Sequence, residues 1–168
     1  MPADAYLDIE TTGLSPGRCQ ITVIGIYIAG EKGEEFIQLV GREITADAVS
    51  QSLEGVSGLY TYNGRRFDLP FIHACLGINL ETRLNHCDLM HHCWRNNLYG
   101  GLKAVERCLG IDRNLKEVNG YEAVRLWWRW ADSADTEALQ KLLAYNKEDV
   151  LNLKVLRDRL LQPDKLQD

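Results

Sequence analysis

Apolar and polar positions divide the chain into a strand-rich first half and a helix-rich second half. The pattern predicts a short strand at residues 5–10 and a long one at 20–29, which is apolar and rich in β-branched residues, and residues 34–40 alternate like a third strand. The gaps between these three strands are too short for parallel crossovers, so we expect an antiparallel meander. The pattern then predicts a weak helix at 43–53, a fourth strand at 58–63 and a helix at 68–76.

From Asp88 onward the apolar residues recur at helical spacing. One short helix is predicted over 102–109 and is closed by Gly110. A second covers 121–130, a break at 131–135 supplies candidate N-caps, and a long final helix runs over about 137–161. Strands followed by helices, with one strand between helices, indicate an α/β or α+β sheet domain.

Composition agrees with one globular domain over residues 1–168. The chain is 45% hydrophobic and 26% charged, which excludes a disordered chain, a collagen or a coiled-coil rod. The longest apolar run, 21–30, is about half of what a membrane span needs, and no signal peptide is evident. Five cysteines without a CxxC pair suggest reduced thiols, so we expect a cytoplasmic protein with no membrane contact.

The net charge of −5 is unevenly distributed. Residues 1–84 hold 6 basic and 11 acidic side chains, whereas residues 85–168 hold 13 of each. No block of like charge marks a tight nucleic-acid binder. An enzyme that meets nucleic acid briefly remains compatible with this balance.

The first candidate site is the Asp8-Ile9-Glu10 sequence in the first strand. Residues i and i+2 of a strand point to the same face, so the two carboxylates project together while Leu7 and Ile9 face the core. Two adjacent carboxylates repel each other and stay ionised when a cation is present, and oxygen ligands suit Mg²⁺ or Mn²⁺. By itself the pair also fits two ordinary surface acids.

Two further motifs carry acids at element boundaries. Asp68 follows Asn63-Gly64-Arg65-Arg66-Phe67 and begins a helix, where an Asp is also a good N-cap. Tyr145 and Asp149 lie four residues apart and share one face of the last helix. Alone, they also fit a half-buried Tyr beside a solvated Asp.

Taken in order, the three motifs resemble the DEDD 3′–5′ exonucleases of the ribonuclease H-like superfamily, in the branch with Tyr in the third motif. Residues 8–14 (DIETTGL) are similar to that family's first motif. Residues 63–70 (NGRRFDLP) are similar to the second motif of polymerase proofreading domains, and the 101–111 segment to the family's leucine-rich helix. The resemblance covers about residues 5–160 and implies a mixed five-stranded sheet of three antiparallel and then parallel strands, flanked by helices. Residues 86–89 (HCDL) also resemble the same stretch of small stand-alone predicted exonucleases of prokaryotes.

The resemblance also implies roles for these residues. Two divalent ions, Mg²⁺ or Mn²⁺, would be held by Asp8, Glu10, Asp68 and Asp149, with Asp8 as the candidate bridging ligand. Tyr145 would orient the attacking water, because a phenol of pKa near 10 is a poor base. Glu10 would also contact the terminal 3′-hydroxyl. The partners would be 3′ ends of single-stranded DNA or RNA. Candidate substrate-binding residues are Thr11, Gly13, Leu14, Asn63, Arg65, Arg66 and Phe67.

The segment 86–93 contains His86, Cys87, His91, His92 and Cys93. Zinc uses these ligand types, but the usual finger spacing is absent and the segment is helical in pattern after Asp88. We therefore expect Asp88 to cap that helix or to contact the residues around the metal site without binding the metal itself.

Three tryptophans near position 128 are interleaved with arginines, as in surfaces that stack on single strands. Trp127 and Trp130 lie three apart, which favours core positions of an amphipathic helix. Trp128 is then the member expected to be exposed.

Two other functions fit the same residues. One is a catalytically silent nucleic-acid-binding or scaffold module, which would be free to lose the carboxylates that this chain retains. The other is a ribonuclease H-type endonuclease, for which the Tyr-x-x-x-Asp signature is not expected. The sequence does not distinguish DNA from RNA.

Overall fold

The computed structural model describes residues 3–161, so residues 1–2 and 162–168 of the predicted domain lie outside the described part. The strands are β1 (Ala3–Thr11), β2 (Ile21–Gly30), β3 (Gly33–Val40), β4 (Val56–Thr61) and β5 (Asn85–Asp88). The α-helices are α1 (Ala46–Ser52), α2 (Asp68–Leu76), α3 (Leu89–Arg95), α4 (Leu102–Leu109), α5 (Gly120–Ser133) and α6 (Thr136–Leu160). Short 3₁₀ turns cover Gly41–Glu43 and Leu80–Thr82.

The strands form one mixed sheet in the order β3-β2-β1-β4-β5. β1 pairs antiparallel with β2, which pairs antiparallel with β3, while β4 and β5 are parallel to β1. The three-stranded meander and the predicted fold class are therefore confirmed.

Several elements, including β4 and α1, begin or end two or three residues from their predicted bounds, and one strand was not located from the sequence. The fifth strand lies at Asn85–Asp88, a short polar segment with no apolar alternation that could have located it. α5 continues to Ser133, three residues beyond the predicted end. It ends there because Ala134 adopts a left-handed conformation (φ 52°) and its N–H bonds to the carbonyl of Trp130.

Both faces of the sheet are buried, each against different helices. Leu7, Ile9 and Leu59 pack with α1 and α2 in one core cluster. Tyr6 and Tyr27 point to the other face and pack with α3, α4 and α6. The alternation along β1 therefore places Asp8 and Glu10 on the face covered by α6.

Close packing of α6 depends on a glycine in β2. Gly25 lies opposite Asp8 in the β1–β2 ladder. A Cβ at this position would overlap the side-chain oxygen of Asn146 and lie 2.8 Å from Cγ2 of Val150. The missing side chain lets α6 approach the sheet where Asp8 projects.

The helix α6 is 25 residues long, but it carries charged residues along its length. No helix within residues 3–161 combines the length and the apolar character needed to cross a membrane.

Replacing Gly25 with Ala should push α6 away from β2. Because the added methyl overlaps Asn146, we expect the free energy of unfolding to fall by about 1–3 kcal/mol. Urea denaturation measures this change. The matched control is Gly17→Ala, where the added carbon meets nothing within 4 Å. Equal stability of the two variants would contradict the packing role of Gly25.

Candidate catalytic and metal site

β1 brings two carboxylates to the α6 side of the sheet. Asp8 is half-buried and Glu10 is buried. Leu7 and Ile9, which alternate with them along β1, point to the other face of the sheet and pack in the core with α1 and α2, as the strand pattern predicts. The pair therefore projects from a rigid central strand.

Asp68 is joined to β1 by a backbone hydrogen bond. The β1–β4 ladder ends at the pair Tyr6–Tyr60, so β1 extends beyond its parallel neighbour. The free N–H of Ile9 donates to Oδ1 of Asp68 at 3.0 Å. Asp68, the first residue of α2, is thereby fixed next to the Asp8–Glu10 pair.

α6 contributes Tyr145 and Asp149 from one face, as their spacing predicts. Ligand oxygens of Asp8, Glu10 and Asp149 all lie within 4.8 Å of one another. These residues, Asp68 and Tyr145 line one cavity of about 220 Å³, here called the catalytic cavity. The structure thus brings together the five residues that the sequence nominated as catalytic.

Burial and mutual repulsion raise the pKa of these carboxyl groups. Burial is the largest cause for Asp8 and Glu10, whose pKa values lie well above the ordinary range, and the neighbouring Asp149 adds to it. Burial also raises the pKa of Asp68 to about 7. For Asp149, burial outweighs the opposing effect of Arg113 and raises the pKa to about 6. Four such oxygen donors suit a divalent cation, which would keep them ionised.

Tyr145 stays protonated at neutral pH. Burial raises the pKa of its phenol, and the charges of Asp149, Glu10 and Asp8 raise it further. The phenol can therefore donate a hydrogen bond at the cavity but cannot act as a base.

Asn146, which follows Tyr145 directly, orients Asp8. Its amide nitrogen donates to the backbone oxygen and to Oδ2 of Asp8, both at 3.1 Å. Its amide oxygen accepts from Nε2 of Gln38 at 2.9 Å. The Asp8 carboxylate is thus held by a buried amide that is itself held by β3.

Asp149 is held by an arginine that the sequence patterns do not reveal. Arg113 is buried and donates to Oδ1 of Asp149. The same guanidinium makes two hydrogen bonds to Glu106, at 2.7 and 2.8 Å. Asn152 donates to Oε1 of Glu106 at 2.9 Å and completes this buried network.

Glu148 fixes the segment that carries Arg113. Its two carboxylate oxygens accept from the backbone N–H groups of Asn114 and Leu115. α6 therefore supplies both Asp149 and the contact that places the arginine beside it.

Asp88 stabilises the turn before Asp68. It caps α3 by accepting from the N–H of Met90 at 3.1 Å, as expected. It also accepts from the N–H groups of Asn63 at 2.8 Å and Arg65 at 3.2 Å. These bonds hold the turn in which Asn63 has a positive φ of 60°.

The nominated substrate-binding residues separate into two groups. Those that line the catalytic cavity are Thr11, Gly13, Leu14, Asn63 and Phe67. Leu14 is 85% exposed at its edge. Arg65 is not part of that lining, and its Nε donates to Glu81 at 3.2 Å. Arg66 is exposed and is also outside the lining.

The His- and Cys-containing segment spreads its side chains over different surroundings. The Nε2 atom of His86 is 2.8 Å from Oγ1 of Thr61. Cys93 is fully buried in the α6-side core, and the His91 ring packs against Trp94. Within residues 3–161, a three-residue cluster of candidate metal ligands forms at Asp8, Glu10 and Asp149 and not in this segment.

The tryptophans of α5 follow the predicted facing in part. Trp127 packs against a buried cluster between α5 and α6, and Trp128 is 46% exposed. Trp130 is only half-buried and lines an open groove next to Gly41–Glu43, so it is not the core residue its spacing predicts.

Sequence reasoning missed the side chains that hold the carboxylates. Asn146 could have been noticed as a polar neighbour of Tyr145 on a helix face that turns inward. Arg113 and Glu106 have no local signal, because Arg113 reaches Asp149 across 36 positions.

Comparison with known families identifies the fold independently. A family model described as the RNase_H superfamily matches residues 5–161. Protein YprB of Bacillus subtilis is 29% identical over an alignment of 163 positions that covers 88% of this chain and 39% of YprB. Protein MJ0365 of Methanocaldococcus jannaschii is 29% identical over an alignment of 169 positions that covers 88% of this chain and 89% of that protein. The chain therefore spans under half of YprB, and neither name states an activity.

Solved structures show the same fold at lower identity. A family B DNA polymerase from Pyrobaculum calidifontis superposes with a TM-score of 0.72 at 18% identity, covering 96% of this chain and 25% of the polymerase. Brucella melitensis NrnC bound to pGG superposes with a TM-score of 0.62 at 22% identity, covering 97% of this chain and 75% of NrnC.

Replacing Arg113 alone should lower the free energy of unfolding more than replacing Arg113 and its partner Glu106 together. Arg113→Met leaves Glu106 buried without a cation, so the free energy of unfolding should fall by about 3–5 kcal/mol. Adding Glu106→Gln should recover at least half of that loss in urea denaturation. Arg125→Met, which breaks an exposed pair with Glu122, should change it by less than about 1 kcal/mol. No recovery in the double variant would contradict the buried-pair interpretation.

Without divalent ions, the stability should depend on pH. The pKa values of Asp68 (about 7) and Asp149 (about 6) exceed the ordinary 3.8, so the folded state binds more protons than the unfolded state between these limits. Below pH 3.8, proton binding by these two groups makes its full contribution to the free energy of unfolding, and this contribution is lost as the pH rises through their folded pKa values of about 6 and about 7. Urea denaturation in EDTA should therefore show a lower free energy of unfolding at pH 8 than at pH 5. The decrease should be smaller in Asp68→Asn, and an increase in the parent protein would contradict the raised pKa values.

Proposed function

The chain belongs to the RNase H superfamily, and from this premise we propose that it is a metal-dependent 3′–5′ exonuclease. It would hydrolyse the last phosphodiester bond at a single-stranded 3′ end and release nucleoside 5′-monophosphates. The observation that carries the proposal is the convergence of Asp8, Glu10 and Asp149 within 4.8 Å, in one cavity with Asp68 and Tyr145.

The donor set fits Mg²⁺ or Mn²⁺. It consists of carboxylate oxygens alone, and because burial and neighbouring acids raise the pKa values of Asp8 and Glu10, a divalent cation would stabilise their ionised forms. Asp8, Glu10, Asp68 and Asp149 would hold two ions. When bound, the ions would acidify the attacking water and stabilise the leaving 3′ oxygen. Divalent metal use is supported by a neighbour in fold, since NrnC has also been solved with bound Mg²⁺.

The protein's own residues would position the reactants. Tyr145, protonated because its phenol is buried among carboxylates, would donate a hydrogen bond to the attacking water. Asn146 would fix the orientation of the Asp8 carboxylate by donating to its Oδ2, and Arg113, which donates to Oδ1 of Asp149, would leave the other oxygen of Asp149 for a metal. Such fixed geometry lowers the entropic part of the barrier.

The cavity is suited to the end of a flexible strand. Leu14 stands exposed at its edge, and Phe67 and Asn63 line it, so an apolar side chain and a ring are available to contact the terminal base. Glu10 would contact the 3′-hydroxyl. NrnC, which shares the fold, has been solved with the short nucleotide pGG.

Two other functions would give different results in the same assay. A ribonuclease H-type endonuclease would cut a circular strand, which has no 3′ end. A silent nucleic-acid-binding module would bind strands without shortening them. The retention of all four carboxylates and Tyr145 in one cavity favours the enzyme over the silent module.

The test uses 5′-labelled single-stranded DNA and RNA of one sequence, with a circular DNA of the same sequence alongside. With Mg²⁺ or Mn²⁺, we expect a ladder that shortens by one nucleotide at a time from the 3′ end, an intact circle, and no reaction in EDTA. Asp8→Asn preserves shape and the bond from Asn146, so it should fold normally yet reduce kcat by at least about a thousandfold.

The outcomes separate the candidates. Cleavage of the circle would indicate an endonuclease. Binding of the strands without cleavage under either metal would indicate the silent module. Full activity in excess EDTA would exclude the metal-dependent mechanism.

A further inference from the structure

The catalytic cavity has no basic side chain in its lining. Its described lining residues include four acids and neither Lys nor Arg. Metal ions would offset the phosphate that is being cut, but the next phosphates along the strand would still approach an acidic protein. The strand therefore needs a positive surface next to the cavity.

Lys103 is the cation placed to provide it. Its ammonium lies 5.2 Å from the ring centroid of Tyr145, a residue of the catalytic cavity. Its hydrogen bond goes to the backbone oxygen of Lys116 at 3.3 Å. Within residues 3–161, no carboxylate forms an ion pair with it. Two of its N–H donors therefore stay available for a ligand.

Two other cations near the site are already engaged. Arg113 is buried and bonded to Glu106 and Asp149. Arg65 donates to Glu81 outside the catalytic cavity. Lys103 differs from both, because it can add a new partner without breaking an ion pair.

A second cavity, of about 270 Å³, continues from Lys103 along α4. We call it the basic cavity, and its charged lining residues are Lys103, Glu106, Arg107, Asp112, Arg113 and Lys116. Arg113 and Glu106 pair with each other, so three cations remain against one acid, Asp112. Arg107 and Lys116 are exposed and unpaired among the described residues.

The position of the basic cavity favours a strand over a separate small ligand. The Tyr145 ring is close to both cavities, because it lines one and lies under the ammonium of Lys103 from the other. A nucleic-acid backbone presents phosphates at regular spacing, and a row of Lys and Arg side chains without carboxylate partners matches that pattern.

We propose that the basic cavity binds backbone phosphates of the substrate strand, and that Lys103 contacts the phosphate closest to the catalytic cavity. Arg107 and Lys116 contact phosphates farther from the 3′ end. The inference rests on the proposed function, because it assumes a single strand with its 3′ end in the catalytic cavity. It names a binding surface that the catalytic carboxylates do not require.

The test compares charge-matched variants. Lys103→Gln and Arg107→Gln each remove one positive charge in the basic cavity. Lys32→Gln removes one in the exposed β2–β3 turn, at the end of the sheet opposite to the carboxylates. All three change the net charge equally, so a difference between them reports position. Lys103→Arg keeps the charge and should retain binding.

Binding is measured with a 5′-labelled oligothymidylate in a Glu10→Gln background with Mg²⁺, over a series of salt concentrations. Removing one phosphate contact should weaken binding by about tenfold at low salt and reduce the slope of log K against log salt by about 0.7. In the otherwise unaltered enzyme, Lys103→Gln should raise KM by a similar factor and change kcat by less than about twofold. Lys32→Gln should leave KM and the salt slope unchanged.

The results separate this inference from the proposed function. If the parent protein shortens strands from the 3′ end but Lys103→Gln behaves like Lys32→Gln, the function stands and the basic cavity is not the strand path. A fall in kcat without a change in the salt slope would also overturn the inference, since it would indicate an effect on Tyr145. If the parent neither binds nor shortens strands, the proposed function and this inference both fail.

Discussion

Burial of four neighbouring carboxyl groups is the constraint on which the site depends. Asp8, Glu10, Asp68 and Asp149 converge at one end of β1, and burial raises the pKa of each, so their ionised forms need a compensating charge. A protein can keep such a cluster only if other contacts hold each carboxylate in place. Those contacts are what the surrounding residues provide.

Asp8 on β1, Asp68 on α2 and Asp149 on α6 are each held by a different kind of partner. A buried amide, Asn146, binds Asp8, and a free strand N–H binds Asp68. Arg113 binds Asp149 and is itself neutralised by Glu106. Arg113 supplies part of the positive charge that the cluster needs, but it contacts only Oδ1 of Asp149. Contacts within the protein therefore fix the orientation of Asp8, Asp68 and Asp149, and the oxygens without a protein partner would be available to divalent ions.

Acidic and basic side chains are separated between two neighbouring cavities. The catalytic cavity collects the acids, while the basic cavity beside it carries Lys103, Arg107 and Lys116. Tyr145 lies where the two meet, with Lys103 over its ring. An acidic protein can in this way attract a polyanion locally, because exposed charges beyond about 10 Å are screened at ordinary salt.

Local patterns in the sequence predicted most of the elements and nominated the residues of the candidate site, whereas the contacts that hold those residues exist only in the folded chain. Strand alternation and helical period are local, so β1 to β4, α2, α4 and α6 could be predicted, as could the side of β1 that carries Asp8 and Glu10. β5 was not predicted, because its sequence, Asn-His-Cys-Asp, shows no apolar alternation and forms a strand by pairing with β4. Asn146 bonds Asp8 across 138 positions and Arg113 bonds Asp149 across 36. Such contacts exist only after the chain has folded, because no local pattern records which distant groups burial will bring together.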